Sequence, residues 1–154
     1  MAFNSVTSNI FQEAISHCRW SGQLKTHVIP KINPASYSDK TFEETLKQIY
    51  GICKPVRGVG LLSAYDLAAA VHRVQGRPVG KVYIIGGGPQ RAVKLLNLKT
   101  KTQHIGTDLS VKYVEIDDVK RAFTSQRYTV SATALTTTNG DVLESYLCKW
   151  QKGI

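Results

Sequence analysis

Pro55-Val56-Arg57-Gly58-Val59-Gly60-Leu61-Leu62-Ser63-Ala64-Tyr65-Asp66-Leu67-Ala68 is the stretch on which the reading of the fold turns. Two glycines stand one residue apart among apolar neighbours, and a helical pattern follows at once. Ala64, Leu67, Ala68 and Val71 share one face of a helix running from about 61 to 75, with Gly76 as its stop. Upstream, Phe42, Leu46, Ile49 and Tyr50 form the inner stripe of a helix expected over residues 39–50, with Gly51 as its C-cap. Glu43 and Glu44 fall in its first turn, where the helix dipole favours acids. Two helices therefore meet at a tight corner whose backbone angles only glycine adopts cheaply. The second helix opens with unpaired amides, which a phosphate can reach where no side chain stands in the way. Lys54 and Arg57 flank the corner and can add ionic contacts.

The run from Val56 through Gly58-Val59-Gly60 to Ser63-Ala64 resembles the helix-hairpin-helix motif of DNA-binding and DNA-repair proteins, over about 20 residues from Pro55 to Val74. The resemblance implies a mainly α fold and a sequence-independent grip on the phosphates of one strand. It places the contacts on the amides of Gly58, Gly60, Leu61 and Leu62, with Lys54, Arg57 and Ser63 in support. It also implies that a monovalent cation can sit on the hairpin carbonyls. The helical chain upstream is consistent with the larger helix-hairpin-helix DNA glycosylase fold.

Charge points the same way. The 154-residue chain carries 20 Lys and Arg against 11 Asp and Glu, a formal net charge of +9. Ten of those bases and one acid, Asp66, lie between Lys47 and Thr107, so this block alone holds the whole excess. Such a concentration suits a polyanionic partner, and Arg73, Arg77, Lys81, Arg91 and Lys94 are candidates to extend the patch. A solvated basic face is the plainer alternative.

The remaining chain reads as one domain, 1–154, with no repeat and no evident boundary. A first helix is expected from Ser8 to Cys18, capped by Ser8 or Asn9. Residues 23–37, with Pro30 and Pro34, show no period and read as loop. Residues 81–85 read as a strand, followed by a glycine turn and a helix to about Asn97 with Pro89 at its start. Residues 99–109 read as loop, 110–123 as either strand or helix, and 128–138 as extended or loose. A last helix is expected over 141–151. The fold class is thus mainly α, with room for a short strand pair. No apolar run approaches a membrane span and no secretory leader is visible. Three scattered cysteines, Cys18, Cys53 and Cys148, argue against a disulfide framework and against a zinc site. A cytoplasmic, nucleoid-associated or nuclear setting is expected, with DNA as partner and no membrane or evident protein partner.

Catalysis is harder to place. In the glycosylase branch a lysine two residues past the second hairpin glycine attacks the sugar, and that position here is Leu62. The branch's aspartate would fall near residues 80–85, yet no acid occurs from Leu67 to Thr107. A non-catalytic binder is the primary reading, and a glycosylase-like repair enzyme with atypical catalytic residues the alternative. Base extrusion would need an aromatic partner, for which Trp20, Tyr65 and Tyr83 are candidates. A third reading takes Ile85-Gly86-Gly87-Gly88-Pro89 as a dinucleotide-binding turn: Gly86 and Gly88 match the first two glycines of that pattern, but Arg91 stands at the third. In the DNA reading the same loop, with Arg91 and Lys94, offers a second backbone contact.

Overall fold

The computed structural model describes residues 9–154, which fall into two compact units, one ending at Arg77 and the other beginning at Pro78. The sequence shows no boundary there. The proposed Ser8 cap lies outside the described residues.

In the first unit, α1 (Gln12–His17) is followed by a tightly wound stretch. It comprises a helical turn at Ser21–Gln23, π-helical Leu24–Val28 and 3₁₀ turns at Ile29–Lys31 and Pro34–Tyr37. Residues 23–37 are therefore helical turns, not loop. Pro30 is the second residue of its 3₁₀ turn and Pro34 the first of its own, positions where a missing N–H costs nothing. Leu24, Val28, Ile29 and Ile32 anchor the stretch in the core. The π turn is what breaks the 3.6-residue period that a sequence scan looks for.

α2 (Phe42–Cys53) starts three residues later than expected because Thr41 caps it. The Thr41 hydroxyl accepts from the Glu44 amide, and the Glu44 carboxylate accepts from the Thr41 amide, closing a capping box. Gly51 is not a cap; the helix runs through it to Cys53. α3 (Leu61–Val74) packs closely on α2 and ends at Gly76 (φ 67°), whose neighbour Arg77 donates back to the His72 carbonyl at 2.9 Å.

The second unit contains a three-stranded sheet, β1 (Val82–Tyr83), β2 (Lys101–His104) and β3 (Ser110–Val114), in the order β1-β3-β2. Both pairings are antiparallel, with Val82 opposite Val114 and Lys101 opposite Tyr113. β2 lies within residues 99–109, where the sequence predicts a loop. The sheet carries helices α4 (Gly87–Leu95), α5 (Ile116–Ser125), α6 (Ala132–Thr136) and α7 (Gly140–Trp150). Residues 110–123 resolve their ambiguity by being a strand and then a helix, with Glu115 as the N-cap between them. Residues 128–138 contain α6, capped by the Ser131 hydroxyl. The core gathers Val82, Ile84, Val93, Leu96, Val114, Phe123, Leu143 and Leu147. Phe123 and Tyr128 both meet the Trp150 ring edge-on, at 5.1 and 5.0 Å between centroids. Gly140 sits where a Cβ would lie 1.8 Å from the Lys81 carbonyl oxygen, and its amide donates to Val79 at 2.7 Å. That contact ties the start of α7 to the chain entering β1. No described helix is long and apolar enough to cross a membrane.

Candidate nucleic-acid interface

The hairpin lies in the first unit, between α2 and α3. Val56 N–H donates to the Cys53 carbonyl and Val59 N–H to the Val56 carbonyl, which winds the chain back on itself. The Val59 side chain is buried and pins the turn. Gly58 takes φ 84°, an angle that L side chains rarely adopt. Gly60 is different. At φ −121° it has extended backbone that any residue can hold, and nothing lies within 4 Å of where its Cβ would be.

Gly60 is also the N-cap of α3 and supplies no capping side chain. The first amide of α3 to find a carbonyl is that of Ala64, which donates to Gly60 at 3.0 Å. The amides of Gly60, Leu61, Leu62 and Ser63 therefore donate to no acceptor among the described residues. Gly60 and Leu62 are exposed and Leu61 and Ser63 half-buried. Four amides with a shared helix dipole form a site suited to an anion. The Val56 and Gly60 carbonyls already accept from Val59 and Ala64. Each keeps a second lone pair.

Two exposed cations, Lys54 and Arg57, stand on the turn. Arg57 also helps to line an open depression of about 380 Å³ with Gln23, His27, Lys31, Pro55 and Val56. That lining carries three basic side chains and no acid. His27 and Lys31 escaped the sequence reading because their π and 3₁₀ turns carry no period that would put them on one face with Gln23.

The wider basic block spans both units. Its ten cations divide equally between the two units, Lys47 to Arg77 in one and Lys81 to Lys101 in the other. Several are committed to the protein itself. The Arg77 guanidinium donates to the Tyr37 carbonyl at 2.6 Å and to the Lys40 carbonyl at 2.5 Å, a clamp on the chain ahead of α2. Arg73 pairs with Glu13 at 3.2 Å. Lys81 donates to Gln103 at 2.9 Å and lies 4.4 Å from the centre of the Tyr113 ring. Arg91 donates to the Gln151 side chain at 2.7 Å, to the Gln151 carbonyl and to Ile154. Lys94 is exposed on α4.

The other sequence candidates sort by burial. Tyr65 and Tyr83 are 2% and 1% exposed and offer no stacking face, whereas Trp20 is 47% exposed. Leu62, in the position of the glycosylase lysine, is 44% exposed and remains an alkyl group without nucleophilic character. Asp66 is paired with His17 at 3.5 Å. Burial pushes the Cys53 thiol up to about 12, and Cys18 adds to the rise, so Cys53 is no nucleophile despite its place beside the turn. Among the described residues no three His, Cys, Asp or Glu side chains are grouped to hold a metal ion.

The dinucleotide reading fails on topology. That fold needs hydrogen-bonded parallel strands, and both pairings of this sheet are antiparallel. Gly88 is explained by packing, since a Cβ there would stand 3.2 Å from the Cys148 sulfur. Pro89 is the third helical residue, not the first. Comparison with known protein families, curated proteins and solved structures gives no match.

Proposed function

We propose that the chain is a sequence-independent, non-catalytic DNA-binding protein that holds the sugar-phosphate backbone on the α2–α3 hairpin. One observation carries the reading. The amides of Gly60, Leu61, Leu62 and Ser63 are unpaired at the start of a 14-residue helix, behind a glycine with open space at its Cβ position. A phosphate oxygen can reach these donors, and the dipole of α3 favours its charge. Arg57 and Lys54 supply the ionic part. None of these groups reads a base edge, so affinity should not depend on sequence.

The test is a titration against duplexes of unrelated sequence at several salt concentrations. With the cations near the hairpin neutralising about three phosphates, log affinity falls with log salt at a slope of about −2.7. Equal affinity across sequences supports the proposal. No binding in dilute buffer, or a slope near zero, overturns it.

A further inference from the structure

Trp20 is the residue that the phosphate grip leaves unused. A large aromatic ring nearly half open to water is unusual for a side chain that dominates apolar burial elsewhere. Its position is not accidental. A Cβ on Gly58 would stand 2.4 Å from Trp20 Cγ and Cδ1 and 2.9 Å from Cδ2. The indole therefore lies against the bare Cα of the hairpin glycine, a contact that any other residue at 58 would forbid. Its backbone is equally constrained, as the N-cap of the turn that leads into buried Leu24, Val28 and Ile29. The ring is held from behind by the hairpin and remains open elsewhere.

Two arginines adjoin the contact in sequence. Arg19 precedes it in the chain and Arg57 precedes Gly58, and both are exposed. Gly60, the first of the open amides, is two residues from Gly58, at most about 7 Å of chain. An aromatic ring and the first of the open amides thus belong to one turn. An intact duplex stacks its bases on one another and presents no free base face along its length. An unpaired base presents one, and stacking on an aromatic side chain is indifferent to which base it is.

We propose that Trp20 stacks on an unpaired base of the strand whose phosphate occupies the amides of Gly60 to Ser63, so that the protein prefers single-stranded DNA to duplex. The inference rests on the phosphate grip proposed above. It names the form of DNA that the grip serves. Trp20 acts as the discriminating residue, and the amides contribute to both forms alike.

The experiment compares oligothymidine with a mixed-sequence duplex at fixed salt, using the whole chain and four variants. Trp20→Phe keeps an aromatic face, and Trp20→Leu keeps an apolar cover on Gly58 but no π face. Trp20→Ala removes both, and Gly60→Asp blocks the amides. Wild type should bind oligothymidine more tightly, with quenching of indole fluorescence. Trp20→Leu should lose about 5- to 100-fold on oligothymidine, with duplex affinity within about twofold of wild type. Trp20→Phe should recover most of the loss, and Gly60→Asp should weaken both ligands. Equal affinity of wild type for both DNAs, or Trp20→Leu binding oligothymidine as well as wild type, overturns the stacking role and leaves the phosphate grip standing. Loss of binding to neither DNA on Gly60→Asp, or no DNA binding by wild type, overturns the grip itself. Trp20→Ala serves as the folding control: if it unfolds, Trp20→Leu still decides.

Discussion

Two glycine-rich turns, one in each unit, precede helices in this protein, and they use their glycines differently. Gly60 and Gly86 are both N-caps with extended backbone and no capping side chain. At the first turn four successive amides are open and Arg57 is exposed beside them. At the second, Pro89 has no amide to offer, Gly88 faces the Cys148 sulfur, and Arg91 is spent on the C-terminal carbonyls. A missing side chain makes room, and the room can be filled by a ligand or by the protein. Gly58 shows that both happen within one motif, because its space is filled by Trp20, whereas that of Gly60 is empty.

The sharpest way to break this comparison is Gly58→Ala. The substitution meets a left-handed backbone and an indole at 2.4 Å together. We expect a loss of about 3 kcal/mol, combining the cost of the left-handed conformation with overpacking. Chemical denaturation measures it. A loss below about 1 kcal/mol would mean that the indole moves aside freely and that the turn is not built around it.

Acid should separate the two units by about the same amount. His72, buried on α3, bonds through Nε2 to the Thr45 hydroxyl at 3.4 Å, while that hydroxyl donates to the Thr41 carbonyl at 2.9 Å. Nδ1 is buried and has no partner among the described residues. Burial, with Arg77 adding to it and Glu43 opposing, lowers the His72 pKa from 6.5 to about 4. Above pH 6.5 the ring is neutral in both folded and unfolded chains and costs nothing. As pH falls from 6.5 towards 4, the unfolded chain takes up the proton and the folded one does not. Stability of the first unit therefore drops, by about 2 kcal/mol at pH 5 and about 3 kcal/mol once pH reaches 4. Trp20 and Trp150 stand one in each unit, so single-tryptophan variants report the two transitions separately. His72→Leu should remove most of this dependence, and an equal acid response in that variant would show that another group carries it.

Gly60→Asp converts the binding comparison into one number. An aspartate at this N-cap satisfies the Leu62 and Ser63 amides with its own carboxylate, so stability should change by only a few tenths of a kcal/mol. The same carboxylate repels a phosphate and occupies its donors. DNA affinity should fall about 100-fold, some 2.7 kcal/mol. If the variant binds DNA as wild type does, the hairpin is a packing corner and the DNA contact lies elsewhere.

How much of this was legible follows from the range over which each signal acts. The corner between α2 and α3 could be read because its determinants are local: Gly58, Gly60 and the stripe Ala64, Leu67, Ala68 lie within eleven residues. The capping box at Thr41 and Glu44 was equally local, and was missed in favour of an earlier start. What sequence could not supply was long-range. Trp20 reaches Gly58 across 38 positions, and Arg91 reaches Gln151 across 60. Nothing near either residue announces its partner. The partners of the basic block are long-range in the same way, since Arg77, Arg73 and Arg91 each meet acceptors far along the chain.

The second turn gives the smallest and most discriminating effects. Gly87 has nothing within 4 Å of its Cβ position and begins α4. Replacing it by alanine should be neutral or stabilise by a few tenths of a kcal/mol, because alanine suits a helix better than glycine. Gly88→Ala must push Cys148 by a few tenths of an ångström and should cost about 1 kcal/mol. Neither change should move DNA affinity by more than about twofold, since both turns carry glycines but only the first is proposed to hold phosphate. A tenfold loss on Gly87→Ala with the fold intact would make the second turn a ligand site in its own right. Glycine spacing, and not the open helix end, would then be the better guide to where this protein binds.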